Sequence, residues 1–185
     1  MFVEIICRKI LKSEVKIMQY ATYYDSPLGK ILLAADEIGL TGSWFEGQKY
    51  FANTFESEYK MGNLPVLDFA KHWLDIYFSG QNTDNIPFPR THLYGTEFQI
   101  AVWHSIIKTP YGTTTTYGEI ARKISNQKNS PRMLARAVGN AIAHNSISII
   151  VPCHRVIGSN GKLTGYAGGM DKKEYLLNLE ENSHI

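Results

Sequence analysis

The chain has 185 residues, 44% of them hydrophobic, and its 19 Lys and Arg against 17 Asp and Glu leave a formal net charge of +2. This is the make-up of an ordinary globular protein, long enough for one domain or two small ones. Two cysteines give no disulfide framework and point to a reducing, cytoplasmic setting, and no apolar run approaches a membrane span. The opening Met1–Lys9 is too charged and too broken for a secretory signal, and Cys7 has no Cys or His neighbour at metal spacing.

Residues 1–17 form an N-terminal extension, with Met18 as a candidate native start, and residues 18–92 are expected to make a small α/β support domain. Gln19 to Phe45 reads as strands. Tyr20–Tyr24 is β-prone, Ser26-Pro27-Leu28-Gly29 turns, Lys30–Ala35 is apolar, and after Asp36–Gly39 the run Leu40–Phe45 is set to pair back. Phe69, Trp73, Ile76 and Tyr77 recur at helical spacing between Val66 and Phe78. Ser79 to Pro89 is rich in chain breakers and reads as a linker.

Residues 93–185 are expected to form the second domain. Thr96 opens a helix with Phe98, Val102, Trp103 and Ile106 on one side. Thr116-Tyr117-Gly118-Glu119 is a capping box that opens a helix through Ile124, and Ser125–Asn129 is a polar turn. Ser130-Pro131 places an N-cap before a proline and opens a helix to about His144. Two helices joined by a short turn suit a helix-turn-helix. On the second helix Met133, Leu134, Ala137, Val138 and Ala141 form an apolar stripe. Arg132, Arg136 and Asn140 share another face, interleaved with the small residues Ala135, Gly139 and Ala143.

Charge follows the same division. Residues 1–93 carry 9 basic and 11 acidic residues, and residues 94–185 carry 10 and 6. The 51 residues between Glu119 and Asp171 contain no acidic residue, yet hold Arg122, Lys123, Lys128, Arg132, Arg136, Arg155 and Lys162. Such a stretch suits a polyanion, double-stranded DNA above all; the plainer alternative is a solvated basic face. Within it lies Val151-Pro152-Cys153-His154-Arg155-Val156, after an apparent buried strand Ile147–Ile150 and before the turn Gly158–Gly161. A thiol beside an imidazole where a strand opens into a loop suits a nucleophile, against the plainer alternative of an inert core cysteine.

From Gly95 to Glu180 the chain resembles the O6-alkylguanine-DNA alkyltransferases, or methylated-DNA–protein-cysteine methyltransferases. The resemblance rests on Thr116–Ala121, Ala135–Ala141, Asn145, Pro152–Val156, Gly165–Gly169 and Lys173–Leu177, in the family's order. It extends more loosely over residues 18–92. It implies an α/β (α+β) fold: a ribonuclease H-like sheet-and-helix domain, then a mostly helical domain with a winged-helix-like helix-turn-helix. It also implies repair of O6-alkylguanine, and O4-alkylthymine, in double-stranded DNA by a single irreversible alkyl transfer. No cofactor, metal or obligatory protein partner is implied.

Residue by residue, the resemblance makes Cys153 the alkyl acceptor and His154 the base that takes its proton through a water. Glu174 would orient His154, and Tyr117 would donate to guanine N3. The carbonyls of Val151 and Cys153 would accept from the guanine amine, and the amide of Ala167 would donate to O6. Tyr166 would pack near the base, Asn145 would brace the loop, and Ser148 would bear on substrate range. Arg136 would enter the base stack as a finger, with Thr116, Arg132, Ala135 and Asn140 on the DNA face. Non-catalytic alkyltransferase-like proteins carry tryptophan at the nucleophile position, so Cys153 argues against that class.

Overall fold

The computed structural model describes residues 17–55, 59–125 and 131–182. Strands β1 (Gln19–Ser26), β2 (Gly29–Ala35) and β3 (Leu40–Phe45) form an antiparallel meander, and β4 (Tyr59–Met61) joins β1 in parallel, giving the order β3-β2-β1-β4. The first hairpin closes at Ser26↔Gly29, where Gly29 takes a φ of 101° that a side chain would resist. Ile31, Leu33, Ala35, Leu40 and Phe45 belong to the main core, and Ala21, Leu32, Ala34 and Trp44 form a second buried cluster covered by Ala52 and Phe55. Helix α1 (Pro65–Phe78) starts on a proline and buries Leu67, Ala70, Trp73, Leu74 and Tyr77. These are the three strands and the helix expected from the β-prone runs, the turns between them and the helical spacing.

The stretch after α1 is less free than its breakers suggest. Asn82 caps a short 3-10 turn, Thr83–Asn85, and Asp84 Oδ2 accepts from Tyr111 N at 2.9 Å. Beyond it the chain runs beside β3, with Leu40 N donating to Arg90 O (2.9 Å) and His92 N to Leu40 O (2.7 Å).

Helix α2 (Glu97–Ile107) carries a capping box formed by Thr96 and Gln99, and Phe98 turns out to be exposed rather than buried with Val102, Trp103 and Ile106. Strand β5 (Thr115–Thr116) leads into α3 (Tyr117–Ile124), whose capping box is the expected one: Thr116 Oγ1 accepts from Glu119 N, and Glu119 Oε2 accepts from Thr116 N at 2.7 Å. Helix α4 (Pro131–Ala143) packs against α2 and α3, burying Leu134, Val138, Ala141 and Ile142. Ala137, placed in that stripe by spacing, is exposed. The polar turn at residues 126–129 and the N-cap Ser130 lie outside the described residues.

The supposed strand at Ile147–Ile150 is a buried turn. It makes an isolated bridge, Ser43↔Ile147, with Ser43 N donating to Ser146 O and Ser148 N to Ser43 O, each at 2.8 Å. Its backbone then folds on itself, Ile150 N to Ser148 O and Val151 N to Ile147 O, so no run of ladder bonds forms. Ile149 has a φ of 71°, a strained value for a β-branched residue. Cys153–Arg155 is a 3-10 turn rather than extended chain; β6 (Val156–Ile157) pairs in parallel with β5, and α5 (Met170–Glu181) packs on the turn.

Candidate active site

Cys153 Sγ accepts a hydrogen bond from Asn145 Nδ2 at 3.1 Å. The same amide donates to the carbonyls of Val151 (3.0 Å) and Ile147 (3.3 Å), while its Oδ1 accepts from Ile147 N (3.0 Å). Asn145 therefore ties the turn together and touches the sulfur. The Val151 carbonyl also accepts from Cys153 N at 2.8 Å. With two donors already on it, and the residue fully buried, that carbonyl is poorly placed to accept from a base.

Cys153 is 4% exposed. Burial pushes its thiol up; the Asn145 hydrogen bond, the Lys173 charge and nearby amides pull the other way without reversing the shift. The resting group is a thiol, and it needs a base.

His154 is wholly buried, with Nε2 2.6 Å from Glu180 Oε1. An ionised carboxylate only accepts, so the ring proton sits on Nε2 and Nδ1, unpartnered among the described residues, is the basic nitrogen. Burial holds the imidazole below its ordinary value, partly offset by the Glu180 charge and hydrogen bond. Burial alone would raise the Glu180 carboxyl, but the charges and hydrogen bonds of His154 and Arg155 hold it at about 2. Arg155 binds Glu180 through Nε (2.9 Å) and Nη2 (3.1 Å), and Thr109 O through Nη1 (2.7 Å). It is 4% exposed, so this cation, counted above with the polyanion-facing ones, is committed to the interior.

The carboxylate on His154 is thus Glu180, and the expected role of Glu174 is corrected. On α5 the buried positions are Lys173, Leu176 and Glu180, a stripe at helical spacing. Glu174 stands about 100° round the helix from Lys173 and is exposed. Lys173, fully buried, donates from Nζ to the carbonyls of Val156 and Thr164, both at 2.6 Å, which ties β6 to the following loop.

A cavity of about 190 Å³ opens on the sulfur, lined by Lys49, Tyr117, Gly139, Ile142, Ala143, Cys153, Gly165, Tyr166 and Ala167. Two larger clefts, of about 380 and 320 Å³, lie elsewhere and do not contain the thiol. The β5–β6 pairing brings Tyr117 to the wall, and Thr164 Oγ1 donates to its hydroxyl at 3.2 Å, leaving the phenolic proton to donate elsewhere. Gly139 leaves an added Cβ only 3.7 Å from the Tyr117 ring, so the small face of α4 comes close to the cavity. The segment after β3 closes the rim: Lys49 N donates to Ala167 O (3.1 Å), and Tyr50 stacks on His144 with centroids 4.3 Å apart. Ser148 is fully buried, its hydroxyl 3.3 Å from Gln48 Oε1, and is not on the cavity wall.

Residues 97–182 match the DNA-binding domain of 6-O-methylguanine DNA methyltransferase, and residues 19–89 match its ribonuclease-like domain. A methylated-DNA–protein-cysteine methyltransferase of Methanosarcina acetivorans is 44% identical over 87% of this chain and 97% of its own. The corresponding protein of Haemophilus influenzae is 39% identical over 90% and 88%. The crystal structure of Mycobacterium tuberculosis OGT in complex with DNA superposes with a TM-score of 0.75 at 39% identity, covering 90% of this chain and 94% of that one. The chain belongs to the methylated-DNA–protein-cysteine methyltransferase family.

Of the residues expected on the DNA face, Arg136 and Asn140 are exposed on α4 and Ala135 is half-buried against the core. Thr116 is half-buried and spends its hydroxyl on the α3 cap. The side chain of Arg132 lies outside the described residues, as does Lys128; Arg122, Lys123 and Lys162 are exposed. Sequence reasoning missed Glu180, Lys49 and Lys173. For Glu180 and Lys173 the signal was present: Lys173, Leu176 and Glu180 fall on one helical face.

Proposed function

We propose that this protein repairs double-stranded DNA by taking the alkyl group, methyl foremost, from guanine O6 onto Cys153. The observation that carries this reading is Cys153 on the wall of a 190 Å³ cavity, followed in the chain by an imidazole whose Nε2 is held by Glu180. That volume is below the roughly 300–1,000 Å³ of drug-sized sites and suits one extruded base. Arg136, exposed on α4, would fill the gap in the stack, and the acid-free stretch 120–170 with its exposed Arg122, Lys123, Arg136 and Lys162 supports contact with the phosphate backbone.

The thiol proton passes through a bridging water to Nδ1 of His154, and Glu180 stabilises the imidazolium. The sulfur then attacks the alkyl carbon in line. An S–C bond forms as the C–O6 bond breaks, and the electron pair leaves with guanine. Tyr117 supports that leaving group through a hydrogen bond to N3, and the Ala167 amide supports it at O6. The thioether is stable, so each molecule acts once, without cofactor.

Residues 18–92 act as support and 93–185 carry the reaction. A free thiol as working group supports a reducing, cytoplasmic setting. Mass spectrometry after incubation with O6-methylguanine duplex is expected to show one added methyl group, on Cys153; Cys153→Ala is expected to bind duplex without reacting. An unmodified Cys153 after full exposure to the lesion would refute the assignment.

A further inference from the structure

The His154–Glu180 pair is not assembled by the C-terminal domain alone. Tyr77, in the last turn of α1, is fully buried and reaches across the domain boundary. Its hydroxyl donates to Glu180 Oε1 at 2.8 Å and stands 3.3 Å from His154 Nε2. Three donors thus converge on one oxygen: Tyr77 Oη, His154 Nε2 and Arg155 Nη2. The ring is locked by a stacked Trp73 at 5.6 Å and edge contacts with Phe78 at 5.4 Å and Tyr111 at 6.0 Å, so the hydroxyl has little freedom to point elsewhere.

We propose that Tyr77 is a positioning residue for the transfer step, sharing the Glu180 carboxylate with His154 so that the imidazole rests neutral with Nδ1 free. The inference rests on the repair reading above. A carboxylate oxygen that spends part of its charge on a phenol has less to offer an imidazolium. A neutral resting His154 is what a base must be, since the thiol it serves is itself protonated. Burial drives Tyr77 well above the ordinary phenol value, followed by the Glu180 charge, so the hydroxyl donates throughout the working range.

His154 also faces Glu180 and Lys173 on α5, Arg155 and the Cys153 thiol on its own turn, and Tyr166, whose ring lies edge-on at 6.5 Å. Tyr77→Phe leaves all of these in place and keeps the packed ring, so it removes the hydroxyl alone. Without that donor, Oε1 presents its charge to His154 and Arg155 only, and the imidazole takes its proton at higher pH.

The test is the pH profile of methyl transfer from O6-methylguanine duplex to Tyr77→Phe and to the unaltered protein, with thermal melting to establish that both are folded. The acid limb of Tyr77→Phe is expected to move up by about half to one pH unit. The deficit is then about three- to ten-fold at the acid end and within two-fold on the alkaline plateau. NMR titration of the His154 ring in the unreacted protein is expected to show the same displacement. An unchanged acid limb, or a deficit equal at every pH, overturns the proposal. If even the unaltered protein transfers no methyl group, the repair reading fails instead. The ring titration, which needs no substrate, then decides the Tyr77 pairing by itself.

Discussion

On α5, helical phase decides which carboxylate serves His154. Lys173, Leu176 and Glu180 point inward and Glu174 points to solvent, so only Glu180 reaches the imidazole. Glu180→Gln is expected to slow methyl transfer by roughly 10²–10³-fold, the scale of a misoriented general base. It also leaves the Arg155 guanidinium buried without its partner, a cost to stability of about 3–5 kcal/mol. Glu174→Gln is expected to stay within two-fold; single-turnover rates on the folded proteins separate the two. The nucleophile itself was legible because Pro-Cys-His-Arg is dense local chemistry. Its orienter was not, because that assignment depends on which side of a helix meets a neighbour distant in the chain. Lys49 and Tyr77 were invisible for the same reason, since nothing near them in sequence announces the cavity that Lys49 lines or the carboxylate that Tyr77 meets.

Among the elements, the first three strands and the first four helices followed their local signals: β-prone and apolar runs bounded by turns, Gly29 in its turn, Pro65 and Pro131 at helix starts, and Thr116 with Glu119. The apolar run Ile147–Ile150 misled because burial and hydrophobicity suit a packed turn as well as a strand. What it lacked was a ladder partner longer than Ser43. Helix α4 shows how an element can be shaped for a groove: its inner face is Leu134, Val138, Ala141 and Ile142, and its outer face carries exposed Arg136 and Asn140. Arg136→Ala is expected to slow repair of duplex at least ten-fold while changing reaction with free O6-methylguanine by less than two-fold, because the free base needs no extrusion. Equal losses with both substrates would remove the finger role.

Across the whole molecule, the two family-matched regions share one hydrophobic core, which runs from Ile31 and Tyr77 through Trp103 to Val151 and Leu176. The His154–Glu180–Arg155–Tyr77 cluster lies within it, which ties stability to acidity. The folded imidazole sits below its ordinary 6.5, so the unfolded chain takes up that proton first and stability begins to fall below about pH 6.5. Glu180 is depressed from 4.5 to about 2, so its contribution is present above about pH 4.5 and is lost progressively toward pH 2, about 3 kcal/mol in all. Urea midpoints at pH 7.5, 5.5 and 3.5 are expected to decline in that order, and a flat series would contradict the buried charges.

The 4% exposure of Cys153 has a bearing on how long a single-use reagent lasts. Peroxides and stray electrophiles consume cysteines that are ionised and open to solvent. Here the sulfur is capped by Asn145 and kept as a thiol, so an idle molecule resists being squandered on cellular oxidants. Its one equivalent of reactivity is reserved for whatever enters deeply enough to meet it.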